Sequence, residues 1–149
     1  MIGNSSPVPK QRVRLETRDL KLETGKKVIF AKLDVFKRAY ALSLAIHKRS
    51  LDFPALEQRE LASQLRRSSK SICANIGEGM GKQMSSKDVI RFLRTAIGSC
   101  DETRIWIKYA VDLGYISADE YERYYDDYCE VGRMLTGLIK HWASKEDPI

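Results

Sequence analysis

The residue types that most often carry chemistry are few in this chain and poorly spaced for it. Cys73, Cys100 and Cys129 stand 27 and 29 residues apart with no Cys-x-x-Cys pair. That spacing suggests neither a zinc site nor a complete disulfide set, and the thiols read as reduced core residues. His47 and His141 have Leu44, Ser43, Leu138 and Gly137 at i−3 and i−4, where a di-iron helical bundle would carry glutamates. Gly77-Glu78-Gly79-Met80-Gly81-Lys82 is rich in glycine, but it follows a helical pattern and not a strand, so the context of a phosphate-cradling loop is missing. Asn75 and Glu78 beside those glycines read as residues that close a turn, Asn by bonding local backbone and Glu by capping or pairing. With no histidine, Ser/His/Asp set or paired metal ligands around them, the expectation is a protein without catalysis, metal or cofactor.

What the chain does have is cationic side chains at useful spacing. Arg59, Arg66 and Lys70 stand at i, i+7 and i+11, and Lys82, Lys87, Arg91 and Arg94 follow through the glycines. On one helix face and into the next helix, such a row could hold nucleic-acid phosphates, which need only Lys and Arg. Glu60, Glu78 and Asp88 interrupt the row and no aromatic is interleaved, so binding to RNA or DNA would address the backbone with low sequence specificity. The alternative is a solvated face.

The whole chain carries a formal charge of +6, distributed unevenly. Residues 1–32 hold eight Lys/Arg against three acids; residues 59–108 hold ten against five; residues 109–130 hold Arg123 against seven acids. This polarity fits one face for an anionic polymer, or copies pairing basic to acidic, or solvated helix faces. Tyr125 with Asp126 and Asp127 is a candidate seam in an oligomer, set against basic helix two or three of a neighbouring copy. No apolar run approaches the roughly 18 residues of a membrane span, and residues 1–30 lack a signal-peptide apolar block. The expected location is the cytoplasm, without membrane attachment.

The elements that must position these groups follow from hydrophobic period. Residues 1–27, with Pro7, Pro9, Gly25 and dispersed charge, read as a flexible basic N-terminal tail; residues 28–149 read as one domain of four helices. Helix one covers about 33–49, with Val35, Ala39, Leu42 and Ile46 on a stripe and Phe36 and Tyr40 beside it. Helix two starts a few residues after Pro54, turns Leu61, Leu65, Ser68, Ile72 and Ile76 inward, and ends at Gly77, Gly79 and Gly81. Helix three is capped by Ser85 with Asp88, carries Val89, Leu93, Ala96, Cys100, Thr103, Ile107 and Ala110 at alternating steps of four and three, and stops at Gly114. Ser117 with Glu120 caps helix four, whose stripe is Tyr121, Tyr124, Tyr128, Val131, Leu135, Leu138 and Trp142. The fold class is all-α, an up-down-up-down four-helix bundle. Gly98, Gly132 and Gly137 inside helices make narrow surfaces for a close helix, in the bundle or in a second subunit.

Ser63-Gln64-Leu65-Arg66-Arg67-Ser68-Ser69-Lys70-Ser71-Ile72-Cys73-Ala74-Asn75-Ile76-Gly77-Glu78-Gly79, with Phe92 through Glu102 and Leu113-Gly114-Tyr115-Ile116, resembles the four helix bundle protein family. Its members include proteins encoded in intervening sequences of bacterial 23S ribosomal RNA genes. The likeness spans about Val28 to Trp142. It implies a bundle protomer assembled into a barrel-like homopentamer, and a looser kinship to the accessory proteins of diversity-generating retroelements, which bind nucleic acid and a reverse transcriptase. The family pattern also implies a structural ion pair between Arg67 or Arg66 and Glu102. The N-terminal extension and the nearly neutral body are departures from a basic barrel. The resulting expectation is a non-enzymatic nucleic-acid-binding accessory protein; the alternative is an oligomeric protein-interaction scaffold for which nucleic acid is incidental.

Overall fold

The computed structural model describes residues 33–81 and 85–145. The N-terminal tail and Lys82 lie outside the described residues. Those described form four α-helices and no strand: α1 (Asp34–Ser50), α2 (Leu61–Gly81), α3 (Ser86–Asp112) and α4 (Ala118–Ala143), with a 3₁₀ turn at Ala55–Glu57 between α1 and α2. Helix α1 packs on α2, α2 on α3, α3 on α4, and α4 returns to α1 through the slightest contact of the four.

Local signals set the helix ends. Ser85 Oγ accepts from Asp88 N at 3.2 Å, while the Asp88 carboxylate accepts a hydrogen bond from the Ser85 hydroxyl instead of reaching the backbone, so only half of the expected box forms. At α4 both halves are present, Glu120 N donating to Ser117 Oγ and Ser117 N to Glu120 Oε1. Gly114 has φ +78°, and Tyr115 N donates to Ala110 O while Gly114 N donates to Val111 O. This is the paired C-terminal arrangement in which a left-handed glycine satisfies the last carbonyls.

Helices α1, α2 and α3 bury the stripes their periods specify. All seven stripe residues of α3 are buried, as are the five of α2. In α4 only Tyr128, Val131 and Leu135 are fully buried. Helix α1 has 17 residues and α4 has 26, and Arg49 meets Glu120 near the start of α4, so described α1 ends before it can cover Leu138 or Trp142.

The α2–α3 seam is built from small polar residues. Thr103 Oγ1 sits 2.9 Å from Ser68 Oγ and 2.8 Å from Ser99 O; Ser71 Oγ and Ser99 Oγ are 2.8 Å apart. About two turns on, α2 does not stop at Gly77 as its glycines suggest but continues to Gly81. The reason is packing: a Cβ on buried Gly79 would lie 2.7 Å from Phe92 Cβ, so glycine lets the helices touch. At Gly98, Gly132 and Gly137 an added Cβ would meet nothing within 4 Å, so the described bundle does not use these glycines for close packing. Gly79→Ala is therefore expected to destabilise the protein by about 1–2 kcal/mol, overpacking outweighing the gain in helix propensity. Gly98→Ala and Gly132→Ala should each stabilise by up to about 1 kcal/mol. Urea midpoints check this, and a Gly79→Ala midpoint at or above wild type would contradict the close contact.

Candidate nucleic-acid interface

The expected cationic row does not survive as one track. Arg59 lies in the turn before α2, not on it. Arg66 turns toward α1: Nη1 donates to Ser50 Oγ at 2.9 Å and Gln58 Oε1 at 3.2 Å, and Nη2 donates to Gln58 O at 2.8 Å. Gln58 Nε2 in turn donates to Ser50 O and Phe53 O. Arg66 is thus a tie between the end of α1, the 3₁₀ turn and α2, which corrects its reading as a phosphate contact. Lys70 follows it to the α1 flank, its Nζ 2.8 Å from His47 Nδ1. Burial and the charges of Lys70 and Arg66 hold the His47 pKa below its ordinary value.

Arg67 projects about 100° from Arg66 and is exposed. The ion pair with Glu102 implied by the family pattern is not formed by either arginine; Glu102 accepts from Trp106 Nε1 at 3.1 Å. The α3-facing flank of α2 is occupied by Ser68 and Ser71, leaving no arginine there to reach Glu102. Asn75 bonds locally, its Nδ2 donating to Ser71 O at 2.8 Å and Ser71 Oγ at 3.1 Å, within α2 and not at a turn. Glu78 lies exposed in the last turn of the same helix.

Lys87, Arg91 and Arg94 are exposed at i, i+4 and i+7 on α3, one stripe by helical geometry. Arg91 packs over the Phe92 ring at 5.0 Å and faces Asp88 at 3.9 Å, an exposed pair that neutralises little. The helix beside this stripe is decisive. Antiparallel contacts set the α3–α4 register: Lys108 over Tyr121, Arg104 over Tyr125, and Cys100 Sγ donating to Tyr128 O. Ile97, Arg104, Gly132, Arg133, Gly137 and Lys140 then line one shallow groove. Continued in the same register, Arg94 and Arg91 fall beside the turns of α4 that contain Leu135 and Leu138. Residues 131–145 include Arg133, Lys140 and Lys145 and no acid.

Two basic helix halves therefore lie side by side. Arg133 engages Glu130 at 2.8 Å and Arg104 pairs with Asp101, whereas Lys87, Arg94 and Lys140 form no ion pair among the described residues. Arg133 and Lys140 were missed from sequence, although an acid-free stretch at the end of a helix was a usable signal.

At the other end of α4, Tyr125 is 36% exposed beneath the Arg104 guanidinium, with Asp126 and Asp127 exposed beside it. Burial and the Asp126 charge raise the Asp127 pKa against the opposing pull of Arg38 and Arg123. All three cysteines are free; burial pushes the thiols of Cys73 and Cys100 up to about 11, which keeps them protonated and inert. Cys129 accepts from Arg104 Nη1 at 3.3 Å. No helix among the described residues is long and apolar enough to cross a membrane.

The chain is similar to a protein of unknown function from the S23 ribosomal protein family of Bacteroides thetaiotaomicron VPI-5482, whose crystal structure superposes with a TM-score of 0.64 at 29% identity, covering 71% of this chain and 95% of that one. Comparison with curated proteins returns no match. A family model described as 23S rRNA-intervening sequence protein matches residues 31–137, from just before α1 to within α4. The chain belongs to the 23S rRNA-intervening sequence protein family.

Proposed function

We propose that this protein is a non-enzymatic, cytoplasmic accessory protein that binds the phosphate backbone of RNA or DNA, its protomer an up-down-up-down bundle assembled into a barrel-like homopentamer. The binding reading rests on the exposed stripe of Lys87, Arg91 and Arg94 on α3 and on the antiparallel α3–α4 register, which carries that half of α3 toward the part of α4 that holds Arg133 and Lys140. The antiparallel contacts of successive helices support the up-down order, and family membership supports the assembly. A reverse transcriptase is a candidate protein partner through the looser likeness to retroelement accessory proteins.

Contacts of this kind are directed at charge, so the test is a salt series. Full-length protein is titrated against labelled structured RNA and duplex DNA by fluorescence anisotropy. About four phosphate contacts give a log–log slope of roughly −3 to −4. Arg94→Gln with Lys140→Gln should weaken binding by about 10–100-fold and flatten the slope by roughly 2, with an unchanged circular dichroism spectrum. A wild-type slope in the double variant removes this surface from the interface. The second reading, a protein-interaction scaffold, is favoured by a separate exposed apolar patch and would be left standing by that result.

A further inference from the structure

Several of the most exposed large apolar side chains lie along the second half of α3 and in the turn before α2. Leu56 is 72% exposed, and Ile105, Tyr109 and Leu113 are 53%, 54% and 53% exposed. Trp106, Tyr109 and Leu113 line a shallow depression with Glu57, Glu60, Leu61 and Gln64. Ile105 is one turn from Tyr109 on α3, Leu56 adjoins Glu57, and Glu102 stands at i+4 before Trp106. The depression is thus apolar along Trp106, Tyr109 and Leu113 and acidic at Glu57 and Glu60, with Glu102 bonded to Trp106 beside it. Several exposed large apolar residues together, rimmed by charge, mark an interaction surface.

The sequence contains a segment of complementary chemistry. Lys26-Lys27-Val28-Ile29-Phe30-Ala31-Lys32 sets three consecutive large apolar residues between lysines, apolar matter for the depression and cations for its rim. It directly precedes α1, which begins at Asp34. The 17 residues of α1 rise about 25 Å, and the patch adjoins Leu56, beyond the far end of that helix. Phe30 is four residues from Asp34, a reach of about 14 Å at full extension. Phe30 therefore falls short of the Glu57 end of the depression in its own protomer.

We propose that residues 26–32 of one copy dock on the Trp106–Tyr109–Leu113 depression of another, a head-to-tail exchange between subunits. Such a contact is heterologous, and it forms a ring if the rotation closes. The proposal rests on the self-association put forward above and adds the segment and the surface that carry it.

The test uses the full chain with a benzophenone amino acid at position 109, in an equal mixture of ¹⁵N-labelled and unlabelled copies. Irradiation, tryptic digestion and mass spectrometry should give cross-links from position 109 to peptide 28–32 of the opposite label. Ile29→Asp with Phe30→Asp should cut that yield by at least about tenfold, the change that roughly 1.4 kcal/mol of binding produces, with circular dichroism unchanged. Sedimentation equilibrium of wild type supplies the second readout. Cross-links to the helices of another copy, or no cross-link, with a multimeric mass overturn the docking and leave self-association intact. Cross-links to 28–32 within one label alone overturn the exchange. A monomeric mass overturns both.

Discussion

Arg66→Ala is expected to lower the unfolding free energy by about 2–4 kcal/mol, whereas Arg67→Ala, its neighbour in sequence, should change it by no more than about 0.5 kcal/mol. The guanidinium of Arg66 makes three hydrogen bonds, to Ser50 Oγ, Gln58 Oε1 and Gln58 O. Bonds from a charged donor are worth more than neutral ones, and Ser50 is fully buried, so truncation leaves a polar group poorly satisfied. Arg66→Lys should recover little, because one ammonium cannot reproduce a planar fork that reaches two residues. Urea denaturation of the three variants checks the stability ranking. A wild-type midpoint for Arg66→Ala, combined with a flatter salt slope for nucleic-acid binding, would return Arg66 to the interface and contradict its structural role.

The second large effect is expected at Arg49 and Glu120, which bind α1 to α4 where helix packing is slightest. Arg49 Nε donates to Glu120 Oε2 at 2.7 Å, and Nη2 donates to Tyr115 O at 3.0 Å and Glu120 Oε1 at 3.3 Å. Their side chains are 29% and 22% exposed, between the weak surface pair and the costly buried one. Arg49→Met should destabilise the fold by about 2 kcal/mol, since it removes the clasp and the partner of a partly buried carboxylate. The pH dependence has a definite sign. Burial pushes the Glu120 carboxyl up, but hydrogen bonds from Arg49 and from the Ser117 backbone outweigh it and hold its pKa below the ordinary carboxylate value. A folded-state pKa below the unfolded one means stability present above about pH 4.5 and lost as the pH falls through the folded value. Wild type should therefore lose more stability than Glu120→Gln between pH 6 and pH 3. Parallel urea curves for the two proteins over that range would show that the pair contributes nothing to acid sensitivity.

Much of the fold was legible because its determinants are local. The alternating four-three stripe of α3 specifies which seven residues face inward whatever they face, and Gly114 and Ser117 mark the turn that follows. The α2 glycines misled because their reason lies in another helix: Gly79 serves contact with Phe92, not helix termination. Gly98 and Gly132 looked alike in sequence and have open space instead. The candidate site was legible only in part. The exposed stripe of Lys87, Arg91 and Arg94 follows from spacing, but Arg66 was indistinguishable from it until the position of Ser50 and Gln58 was known.

By itself, then, the sequence determined the four helices, their caps and buried faces, and the amount and polarity of charge. These depend on residues within a turn or two of one another, where periodicity and capping operate. Only the tertiary structure decided which arginine is consumed as a tie, which glycine is a contact, and that the cationic start of α3 lies beside the acid-free end of α4. Those outcomes depend on which flanks of neighbouring helices meet and in what register, and that is fixed by the packing of residues far apart in the chain.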